Sequence, residues 1–462
     1  MQLLPLSCRW RWIDRYRDLL AVQVSQPERY PFLLESVARG TSTARYDILF
    51  AFPQGSLMLK RGAQLRADTF SPKGGDFLHN FDAWWWESRV CQPPAINVPF
   101  HGGWFVYLGY ELVAQLEPRL TLPLPDDVLP IAAAYRIPAA IVRDHLRCRT
   151  LILVEADYPE LLGVLEDDLT RAPELSPPNG DRLNESLREE PSQVFLSRVQ
   201  LIQHYIRNGD VFQVNLSRGW QGLLKRDVSN EMLYDRLRRC NPAPFAGLAV
   251  FGDAAILSSS PERLVRVRQG TVETRPIAGT HPRSGKRSAD QALSSALSAS
   301  PKERSEHIML IDLERNDLSK VCQIGSVQVP ELMVIESYAH VHHLVSSVCG
   351  RLRRGVTPGD VIRAVFPGGT ITGCPKVRCM ELIAELEAAP RGPYTGAMGY
   401  VNHDGGMDLN ILIRTVVRHG ERVWLRTGAG IVADSVPAFE LKETRYKAQG
   451  PLRALDQAIR WH

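Results

Sequence analysis

The sequence has few cysteines and no strong excess of charge. Eight cysteines are spread over 462 residues, and none forms a Cys-x-x-Cys pair. A structural zinc site needs two close pairs or one pair with histidines, so the spacing favours reduced thiols in an intracellular protein. The formal net charge is only +4, which is too small for the basic field of a nucleic-acid-binding protein.

Long apolar runs are also missing. The best candidate, residues 130–142, is interrupted by Arg136 and Pro138, whereas a membrane-spanning helix needs ~20 apolar residues. The first ten residues lack the basic start and the long apolar core of a secretory signal. The sequence therefore predicts a cytoplasmic protein that neither crosses a membrane nor binds nucleic acid.

One stretch of the chain has the composition of a boundary. Residues 171–191 are rich in Pro, Ser, Asn, Gly and charge, which is typical of a linker. An amphipathic pattern follows, in which Phe195, Val199, Ile202 and Ile206 fall on one face of a predicted helix. The predicted domains are an N-terminal region and a second domain on either side of the linker: residues 1–170 and residues 192–452.

Two pairs of glutamates are each spaced three residues apart. Glu303 and Glu306 lie in one predicted helix, and Glu440 and Glu443 lie in another. Because residues three apart share a helix face, each pair points in one direction. A few carboxylates, with waters and substrate completing the shell, suit Mg²⁺. The same spacing is also common on solvated helix faces.

Further candidates stand at a strand end and in glycine-rich segments. Glu262 follows a predicted strand, where it is either a general acid with a raised pKa or the partner of Arg263 in a salt bridge. Residues 366–376 and 427–431 offer backbone N–H groups to an anion, and they equally form simple turns.

Three histidines occur close together in a predicted strand: His340, His342 and His343. Alternation along a strand places the first two on one face and the third on the other, which does not suit a three-histidine metal site. A single histidine that polarises a substrate and a structural histidine both remain open.

The order of these segments resembles that of the chorismate-utilising enzymes. This family includes anthranilate synthase component I, aminodeoxychorismate synthase component I and, more distantly, isochorismate synthase. The segments that carry the resemblance are residues 260–263, 274–283, 312–317, 340–343, 366–376, 407–415, 428–435 and 443–444. The resemblance is dense over residues 190–450 and weak before them. It implies an α+β fold of two large, mainly antiparallel sheets packed face to face, with helices outside.

The resemblance also implies roles for individual residues. It implies that Mg²⁺ binds the ring carboxylate of chorismate and is held by four glutamates: Glu306 and Glu443 as ligands, with Glu303 and Glu440 in support. It makes Glu262 the general acid that protonates the departing 4-hydroxyl, with His343 and Thr370 beside it. The residues matched to the substrate carboxylates are Tyr394, Arg414, Gly428, Ala429, Gly430 and Lys447.

The sequence positions that distinguish the branches of the family point to different branches. Residues 241–245 and 366–373 are closer to the aminodeoxychorismate synthases, but Ala278 stands where those enzymes usually carry a lysine that attacks C2 of chorismate. We interpret the chain as a Mg²⁺-dependent aminodeoxychorismate synthase component I, a transferase of p-aminobenzoate and folate biosynthesis. Anthranilate synthase component I is the alternative, and a weakly active tryptophan- or partner-binding subunit is the third reading.

Two partners follow from the resemblance. No cysteine lies in the Gly-x-Cys-x-Gly turn of a glutamine amidotransferase, so a separate glutaminase subunit is implied, with free ammonia as its substitute. In relatives, a Leu-Leu-Glu-Ser segment lines a tryptophan pocket. The matching residues here, which equally suit a core between two sheets, are Leu33, Ser36, Tyr46, Pro242 and Phe245.

Overall fold

The computed structural model describes residues 8–14, 17–38, 44–90, 96–126, 128–175, 187–282, 290, 293, 295–297, 299–337 and 341–456. Part of the predicted linker, residues 176–186, and the predicted His340 lie outside these residues.

The strands of the described chain are numbered in chain order. They are β1 (Cys8–Ile13), β2 (Phe32–Glu35), β3 (Tyr46–Ala51), β4 (Ser56–Lys60), β5 (Gln64–Ala67), β6 (Gly103–Leu108), β7 (Ala132–Ile137), β8 (Ala139–Asp144), β9 (Arg149–Glu155), β10 (Arg188–Glu189), β11 (Gln213–Leu223), β12 (Phe245–Phe251), β13 (Ala254–Ser260), β14 (Arg263–Arg268), β15 (Thr271–Thr274), β16 (Ile277–Pro282), β17 (Gln328–Ser337), β18 (Val341–Arg351), β19 (Gly373–Cys374), β20 (Ala397–Asn402), β21 (Met407–Ile411), β22 (Thr415–His419) and β23 (Arg422–Ile431).

The α-helices are numbered in the same way. They are α1 (Leu19–Ser25), α2 (Phe77–Ser88), α3 (Val113–Leu116), α4 (Leu161–Arg171), α5 (Ser192–Arg207), α6 (Asn230–Cys240), α7 (Pro301–Ser319), α8 (Pro358–Val365), α9 (Lys376–Glu387) and α10 (Pro437–Ala454). Short 3₁₀ turns cover Arg61–Ala63, Tyr110–Leu112 and Gly369–Ile371.

Within the described residues, the strands form two large sheets. The first has the order β1-β9-β8-β3-β2-β12-β13-β22-β23-β11-β10, with β19 added beside β11. The second has the order β16-β18-β15-β14-β21-β20-β6-β7-β4-β5, with β17 added beside β18. The pairings are antiparallel throughout this part of the chain. The predicted sheet architecture is confirmed.

The two sheets pack against each other through aromatic side chains. Phe32 of the first sheet stacks on Phe105 of the second, with 4.0 Å between ring centroids and 5° between ring planes. Because side chains alternate along a strand, Leu33 points to the opposite face of its sheet. There it joins a separate core that includes residues of α1, α4, α6 and α10. Helices therefore cover the outer face of this sheet.

Local sequence signals explain several of the helices. Phe195, Val199 and Ile202 of α5 are fully buried, so the predicted amphipathic face is confirmed. Thr357 caps α8 through its side chain, and Asp360 returns a hydrogen bond to the cap, which makes a complete capping box.

Both sheets combine strands from the two sides of the predicted linker. In the first sheet β2 pairs with β12, and in the second β6 pairs with β20. Arg171 ends α4, and residues 188–189 form β10, so the ends of this segment belong to regular elements. None of the helices in the part of the chain that the structure describes is long and apolar enough to cross a membrane.

Candidate active site

Glu262 lies immediately after β13, where Pro261 ends the strand because it has no N–H to donate. Its side chain is buried, and its Oε1 accepts a hydrogen bond of 2.8 Å from the hydroxyl of Thr370. Burial raises the pKa of Glu262 to about 7, although this hydrogen bond opposes the rise. The carboxyl can therefore carry a proton near neutral pH, as a general acid must.

A second buried carboxyl, that of Glu314 in α7, lies close enough to Glu262 to raise its pKa. Burial raises the pKa of Glu314 itself to about 7. Sequence reasoning missed this residue. The available signal was its spacing, because His307, Leu310 and Leu318 form a buried stripe on which Glu314 also falls.

Two basic side chains oppose the rise in the pKa of Glu262. Arg414 and Lys447 both lower the pKa of Glu262, so their positive charges lie near the carboxyl. Lys447 donates to the carbonyl of Gly428 at 3.1 Å and pairs with Glu443 at 2.6 Å. The structure thus brings Glu262, Arg414, Lys447 and Gly428 into one neighbourhood.

The glycine segment of β23 packs closely against polar side chains. A Cβ atom placed on Gly428 would lie 2.6 Å from the hydroxyl of Tyr394 and 2.7 Å from Oδ1 of Asn215. A Cβ on Gly430 would likewise collide with the amide of Gln213, while Ala429 between them is fully buried in the core. A side chain at Gly428 would force these polar groups and the carbonyl of Leu216 to move, whereas the flexible end of Gln213 can yield to a side chain at Gly430.

Asn215 and Gln213 are site neighbours that the sequence reasoning did not select. Both lie on β11, which pairs with β23 through this glycine segment. Both side chains are mostly buried, and their amide oxygens accept no hydrogen bond from the described residues. A buried acceptor without a donor is uncommon in a folded protein and is often found at functional sites.

His343 is held as a neutral imidazole in β18. Burial lowers the pKa of His343 to about 3, and the positive charge of Arg414 contributes to the shift. The register of β18 places His343 opposite Thr280 and Leu344 opposite Ala278, with a bulge between them at Gly279. His342 points away from this face and lies 2.7 Å from the hydroxyl of Ser337. Only one of these two histidines therefore faces the Arg414 charge.

Ala278 is buried in β16, next to the bulge. Its methyl group offers neither a nucleophile nor a proton acceptor. Gly279 adopts φ +61°, and a Cβ there would lie 2.6 Å from Oε2 of Glu303. Glu303 therefore approaches the backbone that neighbours His343.

The four glutamates occupy two helices, as predicted. Glu303 and Glu306 lie half-buried on α7, and Glu440 and Glu443 lie on α10. Glu440 is buried and accepts a 2.7 Å hydrogen bond from Ser435, whereas Glu443 is 48% exposed. Among the described residues, no three Asp, Glu, His or Cys side chains gather closely enough to hold a metal. Carboxylate oxygens are the kind of ligand that Mg²⁺ takes in proteins, with waters and substrate oxygens completing its shell.

A cavity between the two sheets contains three of the five residues predicted for a tryptophan pocket: Ser36, Tyr46 and Phe245. Leu34 and Pro244 line it in place of the predicted Leu33 and Pro242. The difference at Leu33 follows from strand alternation, because Leu33 faces the helices on the other side of its sheet.

Comparisons with known proteins agree over most of the chain. Residues 48–453 match the family model described as chorismate binding enzyme. The chain is 37% identical to aminodeoxychorismate synthase component 1 of Bacillus subtilis, over 94% of this chain and 93% of that protein. It is 38% identical to anthranilate synthase component 1 of Pseudomonas aeruginosa, over 92% and 90%.

A solved structure shows the same fold. Anthranilate synthase component I of Streptococcus pneumoniae superposes with a TM-score of 0.77 at 32% sequence identity. The match covers 89% of this chain and 93% of that one. The predicted α+β fold class is therefore confirmed.

Proposed function

The chain belongs to the family of chorismate binding enzymes, and from that premise we propose that it aminates chorismate to 4-amino-4-deoxychorismate. The observation that carries the proposal is the buried Glu262 carboxyl, which has a pKa of about 7, a hydrogen bond from Thr370 and two cations nearby. In the proposed reaction, Glu262 gives its proton to the departing 4-hydroxyl, which leaves as water. Ammonia supplies the new amino group and loses a proton.

The charges around Glu262 suit a substrate with two carboxylates. Arg414 and Lys447 supply two positive charges close to the Glu262 carboxyl. The neutral His343 adds a hydrogen-bonding group without a further charge. These groups would bind and orient the dianion while Glu262 keeps its proton.

Mg²⁺ is part of the proposal. Glu306 and Glu443 would hold the ion, with Glu303 and Glu440 in support. When bound, Mg²⁺ would neutralise negative charge on the substrate and withdraw electrons from its ring.

Anthranilate formation is the second candidate, and Ala278 is the observation that favours it. A buried methyl group cannot attack C2 of chorismate. Ammonia would then add at C2 directly and lose a proton as the 4-hydroxyl leaves as water, and loss of pyruvate from the resulting amine would give anthranilate. The motifs at residues 241–245 and 366–373 support the aminodeoxychorismate branch, and curated relatives carry both names.

Ammonia would come from a separate glutaminase subunit. Burial raises the pKa of Cys8 to about 12 and that of Cys322 to about 11, so these thiols are poor nucleophiles at neutral pH. The cavity between the sheets would bind tryptophan, because its lining is largely apolar and aromatic. Calorimetric titration with L-tryptophan tests that assignment, and absence of heat at millimolar ligand would contradict it.

Product identification tests the proposed function. The whole chain would be incubated with chorismate, Mg²⁺ and ammonium at pH 8, and the products separated by chromatography. We expect 4-amino-4-deoxychorismate as the main product. Anthranilate as the main product would favour the second candidate. Unchanged chorismate, together with binding of tryptophan or of a glutaminase, would favour the weakly active binding subunit.

A further inference from the structure

Arg391 is a buried arginine between α9 and β20 that none of the site assignments includes. Only 3% of it is exposed. Its guanidinium makes a two-point ion pair with Glu387, with Nη2 to Oε1 at 2.6 Å and Nε to Oε2 at 3.0 Å. A planar guanidinium held in this way has a fixed orientation, so its remaining N–H groups point in fixed directions.

Those remaining groups bind two separate segments of the candidate active site. Nη1 donates to the carbonyl of Ile371 at 3.0 Å, and Ile371 directly follows Thr370. Nη2 donates to the carbonyl of Asn215 at 2.8 Å, and Asn215 is the β11 residue paired with Gly430. One side chain therefore connects the turn that carries Thr370 with the strand beside the glycine segment.

The same guanidinium also contacts the segment that carries Tyr394. It lies 5.5 Å from the centre of the Tyr394 ring and 5.0 Å from that of Tyr110. Nη1 further approaches the hydroxyl of Thr395 at 3.3 Å, and that hydroxyl donates to the carbonyl of Tyr394 at 2.5 Å. The segment that carries Tyr394 is thus held by the same guanidinium as Ile371 and Asn215.

Glu387 extends the connection to β23. Its Oε1 accepts hydrogen bonds from the N–H of Ser217 at 2.7 Å and from the Ser217 hydroxyl at 2.8 Å, and Ser217 is paired with Gly428. Its Oε2 accepts from Arg426 at 3.1 Å. Although burial alone would raise the pKa of Glu387, Arg391 and Arg426 hold it below its usual value. The carboxylate is therefore charged when the protein is folded.

We propose that Arg391 is a positioning residue, which fixes Thr370, Tyr394 and the glycine segment of β23 relative to one another for substrate binding. This inference rests on the proposed function. Burying an ion pair removes two charges from water, and hydrophobic residues often fill the same space at no loss of stability. Unlike a hydrophobic residue, the guanidinium has N–H groups in fixed directions. They hold backbone carbonyls next to three parts of the candidate site.

The test compares Arg391→Lys with Arg136→Lys in the whole chain. Arg136 also pairs with a buried glutamate, Glu155, and donates to the carbonyls of Gly103 and Ile137, but none of these residues belongs to the candidate site. Lysine keeps the charge in both variants and removes the fork. We expect Arg391→Lys to raise the KM for chorismate at least tenfold with a smaller change in kcat, and Arg136→Lys to leave both unchanged.

The pH profile provides a readout that a loss of stability would not move. If Thr370 shifts when the Ile371 carbonyl is released, Glu262 loses the hydrogen bond that lowers its pKa. Its protonated form then persists to higher pH, and the alkaline limb of kcat/KM moves upward. Equal melting temperatures in Arg391→Lys and Arg136→Lys, with KM and this limb unchanged in both, would overturn the inference.

A second variant covers the case in which Arg391→Lys does not fold. Glu387→Gln keeps the shape of the side chain and weakens the hold on the guanidinium, so it should raise KM and move the same limb in the same direction. A lower melting temperature with wild-type KM and pH profile would show a purely structural role. If the wild type binds chorismate in a calorimeter without aminating it, the proposed function fails, while the chorismate affinities of these variants still decide the inference.

Discussion

Glu262 carries a proton near neutral pH because its surroundings penalise the charged form. Burial and the negative charge of Glu314 raise its pKa, while Thr370, Lys447 and Arg414 lower it. The balance, a pKa of about 7, places the proton where a general acid needs it. An acid in this role is active below its pKa and loses activity as the pH rises through it.

Two single substitutions should move this pH dependence in opposite directions. Thr370→Val removes a hydrogen bond to the charged carboxylate, so the pKa of Glu262 rises and the decline in kcat/KM moves to higher pH. Glu314→Gln removes a nearby negative charge, so the pKa falls and the decline moves to lower pH. Steady-state assays between pH 5 and 10 check this. Shifts in the same direction, or none, would exclude Glu262 as the titrating acid.

Ala278 is the residue at which the two candidate reactions separate. We expect Ala278→Lys to supply an amine at the buried end of β16 and to raise the ratio of 4-amino-4-deoxychorismate to anthranilate about tenfold, which is about 1.4 kcal/mol in relative barrier height. Ala278→Met is the matched control, since it adds similar length without the amine. Chromatographic product ratios decide the outcome, and equal ratios in both variants would show that the determinant lies elsewhere.

At the scale of elements, the proposed Mg²⁺ site takes one pair of carboxylates from each of two helices. Glu303 and Glu306 come from α7, and Glu440 and Glu443 come from α10, so a cation held between them would depend on both helices. Mg²⁺ takes six oxygen ligands, of which proteins usually supply one or two carboxylates, so waters and substrate oxygens would complete the shell of the proposed ion.

Replacing one carboxylate on either helix should therefore weaken the response to Mg²⁺. We expect Glu306→Gln and Glu443→Gln each to reduce turnover at limiting Mg²⁺ by roughly a hundredfold, since a neutral amide is a weaker ligand for a hard cation. Asp312→Asn, an exposed carboxylate on α7, is the control. Melting temperature measured against Mg²⁺ concentration in the presence of chorismate gives a second readout, and an unchanged response would contradict the metal assignment.

Local sequence patterns predict features within a helix, but not the pairing of strands that are distant in the chain. The buried face of α5 and the capping box of α8 depend on residues three or four apart, so both were predictable. The pairing of β2 with β12 depends on residues far apart in the chain, and no local period encodes it. The sequence also could not tell which of two neighbouring leucines lines the cavity. Leu33 and Leu34 differ only in the face of the sheet to which their strand directs them.

Sequence motifs select candidate residues for the site. The resemblance of short segments points to Glu262 and the four glutamates, whereas Glu314 and Arg391 acquire their surroundings only through tertiary packing. Arg391 contacts Ile371 and Asn215, which lie 20 and 176 positions away in sequence. A pattern confined to one element cannot contain such contacts.

For the whole molecule, the nitrogen source is the most direct test. We expect the purified chain to form product with ammonium and none with glutamine alone, since none of its cysteines lies in the Gly-x-Cys-x-Gly turn of a glutamine amidotransferase. Adding a purified glutaminase subunit should restore glutamine-dependent product. Glutamine-dependent turnover by the chain alone, free of contaminating glutaminase, would contradict this expectation.

Each sheet pairs strands from both sides of the predicted linker, and this has a consequence for synthesis on the ribosome. Strand β6 must wait for β20, which begins about 290 residues later. At 5–20 residues per second, that interval is roughly 15–60 s. During this time the β6 edge has no β20 partner, and unpaired edges of this kind promote aggregation. We therefore expect the nascent N-terminal half to depend on chaperones until the last strands emerge.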